Sequence, residues 1–123
     1  MFMKRTNVAL VVEDQPLIAL EIEQILKDAG WRDILTFVSA GETENWLARQ
    51  LPSVAVIEAS VQDGHCETIA RMLSDHAVPF IVHSVENEGR RLSSPLRNCK
   101  AWIEKPGTPE MFVAALGRRF DGF

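Results

Sequence analysis

"VALVVEDQPLIALEIEQILKDAGWRDILTFV", residues 8–38, holds two apolar runs on either side of a helical repeat. The runs at 8–12 and 34–38 lack the polar alternation of a half-solvated strand, so each is expected to be covered on both faces. Between them Ile18, Ile22, Ile25, Leu26 and Ala29 recur at spacings of three and four. Pro16 suits the first helical turn and Gly30 the stop. A helix that links two such strands is a parallel crossover, since parallel neighbours cannot be joined by a tight turn.

The rest of the chain repeats the alternation. Apolar runs at 54–57, 80–82 and 101–103 supply three more strands. Ser39-Ala40-Gly41-Glu42 forms a capping box before a helix whose buried stripe is read as Trp46, Leu47 and Leu51, with Pro52 closing it. Residues 65–75, with Ile69, Met72 and Leu73, form a third helix, and Thr108-Pro109 opens a last one carrying Phe112, Val113, Leu116 and Phe120. Only "ENEGRRLSSPLRNCK", residues 86–100, resists the pattern, and a short or irregular helix is expected there. The predicted fold is α/β, a flavodoxin-like, doubly wound, five-stranded parallel sheet of order 2-1-3-4-5 with helices on both faces. The 123 residues are read as one domain, 1–123, able to bury about 65% of the unfolded surface.

Composition narrows the function classes. The chain is 46% hydrophobic and 24% charged, with a formal charge of -4, which gives no basic footprint for nucleic acid. No apolar stretch approaches the ~20 residues of a membrane span, and the first residues lack a secretion signal, so a cytoplasmic protein is expected. Cys66 and Cys99 stand alone and are read as inert thiols. His65, His76 and His83 have no ligand partners at metal spacing and are read as surface or packed histidines.

In an open parallel sheet, ligands bind beyond the carboxyl ends of the strands, and polar residues collect there in this sequence. Strand one ends in Glu13-Asp14, strand three in Glu58, strand four in Ser84 and strand five in Lys105-Pro106. With the first and third strands adjacent, three carboxylates share one rim, and each close pair repels by about 4 kcal/mol at 4 Å and an effective dielectric near 20. Lys105 is one cation against three anions. The cluster is therefore expected either to recruit a hard cation such as Mg2+ or to keep one carboxyl protonated.

These motifs resemble a response-regulator receiver domain over nearly the whole chain. "VVEDQPLIALEIEQILKDAGW" is similar to that family's first strand and helix, "VAVIEASVQDG" to its third strand and loop, "PFIVHS" to its fourth strand and "WIEKP" to its fifth. The resemblance implies that Glu13 and Asp14 are a Mg2+-binding acidic pair, with Glu58 and the Ser60 carbonyl completing the metal set. It implies that Ser84 and Lys105 bind a phosphoryl group and that Trp102 is the aromatic reporting a switch. The departure is at position 58, where the family has its phosphoacceptor aspartate. An extra methylene moves the carboxylate by up to about 1.5 Å, enough to forfeit most in-line phosphoryl transfer. Val85, where the family keeps a small residue, narrows access further.

Two roles for Glu58 follow. It either imitates a phosphorylated aspartate and biases the domain to its active form, or it pairs with Lys105 and abolishes the switch. One charge and two oxygens imitate a phosphoryl group incompletely, which favours the second. The resemblance then implies a non-enzymatic, stand-alone signalling module of a phosphorelay. It would act on protein partners such as a sensor histidine kinase, a downstream signalling protein or a second copy of itself, with Mg2+ weakly held and neither nucleic acid nor membrane as partner. The partner surface is read as Arg90, Arg91, Arg97, Trp102 and Arg118-Arg119-Phe120. The alternatives are a phosphorylatable receiver, a Mg2+-dependent phosphatase and a nucleotide or flavin binder. The phosphatase is disfavoured because Asp14 is followed by Gln15-Pro16 with no second acid, and the binder because "VVEDQPL" offers no phosphate loop.

Overall fold

The computed structural model describes residues 3–88 and 94–119. Five strands, β1 Ala9–Val12, β2 Ile34–Phe37, β3 Val54–Ile57, β4 Phe80–Ser84 and β5 Ala101–Glu104, form one parallel sheet of order β2-β1-β3-β4-β5. This is the expected 2-1-3-4-5 order. The helices are α1 Pro16–Asp28, α2 Ala40–Leu47, α3 Glu67–Asp75 and α4 Pro109–Leu116.

Side-chain alternation divides the core in two. Leu10, Val12, Ala55, Ile57, Phe80 and Val82 pack with Leu47 of α2 and Ile69 and Leu73 of α3. Ala9, Val11, Val54, Val56, Ile81 and Ile103 pack with Ile22 and Leu26 of α1 and Phe112 of α4. Because consecutive strand residues face opposite layers, and both layers are covered, an uninterrupted apolar run is the correct sequence for each central strand.

The helix ends follow the local chemistry. Ser39 accepts a hydrogen bond from Glu42 N at α2, and Thr108 accepts one from Met111 N at α4. Gly30 ends α1 in the left-handed region at φ 101°, where a side chain would collide with the Arg119 carbonyl.

Two expectations need correction, and the short helix expected at 86–100 is present. Leu51 lies outside α2, which stops at Leu47; Gln50–Leu51 instead pairs in parallel with Lys4–Arg5. The residue before a proline is restricted to extended backbone, so Pro52 acts one element later than a helix stop. The third helix begins at Glu67 rather than 65, because Gly64–His65 pairs antiparallel with Ser60–Val61. The irregular connection contains a 3-10 turn, Pro95–Asn98, anchored by the fully buried Leu96. Phe120 lies outside the described residues.

Candidate functional site

Parallel register aligns the strand ends. Val12 is paired with Ile57, Ile57 with Val82, and Ser84 with Glu104. The residues just past those ends stay tied to neighbouring strands, with Glu13 N donating to the Phe37 carbonyl at 3.1 Å, Glu58 N to Val12 at 3.0 Å and Lys105 N to Ser84 at 2.9 Å. The Lys105–Pro106 peptide is cis. Three charged side chains are thereby delivered to one place.

Lys105 Nζ lies 2.5 Å from Glu58 Oε2 and 2.8 Å from Glu13 Oε1, and none of the three side chains is more than 9% exposed. The remaining oxygens are also occupied: Glu13 Oε2 accepts from Gln15 N at 3.1 Å and Glu58 Oε1 from Ala59 N at 2.6 Å. Burying three charges is tolerable only with such pairing. Burial raises the Glu13 pKa above the usual carboxylate range, against the lowering effect of Lys105 and the Gln15 amide. For Lys105, burial alone would lower the pKa, but the two carboxylates together outweigh it and raise it. The ammonium therefore stays charged, and the excess negative charge is relieved at Glu13 by easier protonation.

The other sequence candidates have partners of their own or stand at the rim. Asp14 is partly exposed and has no hydrogen bond or ion pair among the described residues. The Ser60 hydroxyl pairs with His65 Nδ1 at 2.8 Å. Ser84 is buried, and its Oγ accepts from Glu86 N at 3.1 Å. Trp102 Nε1 donates to the Glu86 carbonyl at 2.8 Å, which ties the indole to the same loop. Val85 is 76% exposed, on the wall of a 270 Å³ cavity that Lys105 and His83 also line.

Among the described residues no three Asp, Glu, His or Cys side chains are grouped as metal ligands. Of the set Glu13, Asp14, Glu58 and Ser60 expected to hold Mg2+, the two buried carboxylates are bridged by the Lys105 ammonium, which a cation would have to compete with. Of the expected partner surface, Arg90 and Arg91 lie outside the described residues. Arg119 stacks on Trp31 at 4.5 Å and Arg118 reaches the Asp28 carbonyl, so both engage the end of α1.

Two contributors were not singled out from sequence. Asp63 accepts from Ala40 N at 2.7 Å and Gly41 N at 3.0 Å, so the loop after Glu58 caps α2. Those amides hold its carboxyl below the usual range. The Asp63-Gly64 pair marks a turn in the sequence but says nothing of the helix it reaches. His83, read as surface or packed, is buried against Phe112, with Nε2 accepting from Gly107 N at 3.2 Å.

Burial, aided by the Lys105 charge and opposed by Glu58, pushes His83 down to about 4 from an ordinary 6.5. The unfolded chain then binds the proton more readily. The stability from neutral His83 is present above pH 6.5 and is lost as the pH falls to about 4. Discounted for solvent screening, the loss is about 2 kcal/mol. Urea unfolding across that window should show it, and His83→Phe should flatten the slope; an unchanged slope in the variant would locate the effect elsewhere. The raised Glu13 pKa works in the opposite direction as the pH rises through the carboxylate range.

The sequence matches no protein-family model and no curated protein. Solved structures do match. A sensor protein from Polaromonas sp. JS666 superposes with a TM-score of 0.75 at 22% identity, over 89% of this chain and 91% of that one. A CheY-like response regulator receiver domain protein from Methanospirillum hungatei JF-1 gives 0.72 at 20% identity, over 92% and 90%. The receiver domain of a sensor histidine kinase from Pseudomonas aeruginosa PAO1, solved with magnesium coordinated in its active site cleft, gives 0.74 at 17% identity, over 88% and 92%. The chain has the fold of response-regulator receiver domains.

Proposed function

We propose that this chain is a receiver-like phosphorelay module in which an internal ion pair replaces the phosphate cycle, and that it acts by binding other proteins. The observation that carries this is the Lys105 ammonium, held between Glu58 and Glu13 at 2.5 and 2.8 Å in a buried setting. A phosphoryl group entering this site would have to displace a carboxylate from that cation. Here Glu58 already satisfies it. The reading in which Glu58 imitates a phosphorylated aspartate is less well supported, because Ser84 turns its oxygen to Glu86 N and Trp102 is tied to the Glu86 carbonyl.

Magnesium, bound by one of the fold neighbours, has to compete with that ammonium and is expected to be weak. The role is non-enzymatic, and the proposed partner is a histidine kinase or a downstream signalling protein.

The test is incubation with acetyl phosphate and Mg2+ followed by intact-mass measurement. The expected result is an unmodified mass. A gain of one phosphoryl group mapped to Glu58 would overturn the proposal. Calorimetric titration with Mg2+ alone is expected to give no tight saturable heat in the wild type.

A further inference from the structure

A cleft of 480 Å³ lies between α3 and the 3-10 turn and shares no lining residue with the acid–lysine site. Its walls follow from local geometry. Arg71, Ser74 and Asp75 fall at spacings of three and four on α3, so they share one helix face. Across from them the buried Leu96 holds the turn against the core, which brings Ser94, Arg97 and Asn98 to the opposite wall.

The donors in this cleft are under-used. Arg71 has no hydrogen bond or ion pair among the described residues, although Asp75 lies one helical turn away. Arg97 has a long, half-exposed contact with Glu88 at 3.7 Å. Ser74 Oγ is shielded from solvent and has no hydrogen-bond partner. Ser94 Oγ accepts from Leu96 N, which leaves its proton available. Two guanidiniums, the Ser94 hydroxyl and the Asn98 amide therefore line one space, with the Ser74 hydroxyl shielded beneath it and, among the described lining residues, a single carboxylate, Asp75.

Guanidinium forks match the paired oxygens of a carboxylate or a phosphate, and two forks beside hydroxyl and amide donors supply more donors than two carboxylate oxygens use, which suits the larger oxygen set of a phosphate. The volume is that of a small-molecule site. We infer that this cleft binds a small molecule through a phosphate group, with Arg71 and Arg97 clamping the anion, Ser94 and Asn98 donating to it, and Asp75 limiting its affinity.

Inorganic phosphate is the probe, followed through the backbone amide resonances of the full chain, with sodium chloride at matched ionic strength as control. Saturable shifts are expected at Ser74, Ser94 and Asn98. Arg71→Gln and Arg97→Gln should each weaken binding by about tenfold. Asp75→Asn should tighten it by about threefold. The changed side chains are all exposed, and a dispersed amide spectrum verifies each fold. The inference fails if the shifts do not saturate, if sodium chloride reproduces them, if the arginine variants bind as the wild type does, or if saturation maps to Glu13, Ser84 and Lys105 instead.

Discussion

Replacing Lys105 by methionine is expected to destabilise the fold by about 3–5 kcal/mol, the usual cost of leaving a buried charge without its partner. Here one substitution strands two carboxylates, Glu13 and Glu58, which share the same ammonium. Methionine preserves most of the lysine stem, so the loss is electrostatic more than steric. The pH dependence separates the two causes. In the variant Glu13, whose pKa burial already raises, loses the ammonium that lowers it, so the stability deficit should shrink as the pH is lowered. A packing defect would not respond in this way.

The wild type should behave differently at the alkaline end. The Lys105 pKa is raised on folding, so its contribution is present below the unfolded lysine value and is lost as the pH rises through the folded one. Urea unfolding of the wild type and of Lys105→Met at several pH values checks both statements. A deficit under about 1 kcal/mol at neutral pH would mean that the trio is solvated rather than mutually dependent.

Glu58→Asp should raise the rate of phosphorylation by acetyl phosphate and Mg2+ by about a hundredfold over the wild type, the scale of rate change that follows from a displacement near 1 Å. Shortening the side chain draws Oε2 back from Lys105 and frees the ammonium. It also opens the space beside Glu13 and Asp14 in which a cation would be held. Val85 was expected from sequence to obstruct the donor, yet its side chain is 76% exposed at the cavity wall. Adding Val85→Ala should therefore gain less than about threefold. Intact mass against time supplies both rates. An inert Glu58→Asp variant with unchanged stability would show that the methylene is not what blocks the chemistry, and that the surrounding hydrogen bonds, from Ala59 N and Glu86 N, are responsible.

The strand ends show how far local reasoning reaches. The apolar runs predicted β1 and β3 to within a residue because strands buried on both faces leave no polar position inside them. Glu13 and Glu58 were identifiable as rim residues for the same reason, each being the first charge after such a run. Leu51 was misassigned because an apolar residue four places after Leu47 fits a helix stripe equally well, and only its pairing with Lys4–Arg5 decides otherwise. Asp63 capping α2 was invisible because the contact spans 23 residues of sequence.

What the sequence by itself determined was the order of the elements, the parallel sheet and the end of it at which charge collects. Periodicity and strand-end polarity are local properties, and the parallel crossovers leave few topologies for them. What only the tertiary structure decided was how that charge is settled. Whether three acids and a lysine hold a cation, share a proton or pair among themselves depends on which oxygen meets which donor, and here one oxygen each of Glu13 and Glu58 shares the Lys105 ammonium while the other takes a backbone amide. Electrostatic energy in a buried site changes by several kcal/mol over hydrogen-bond distances, and spacing along the chain carries no information at that scale.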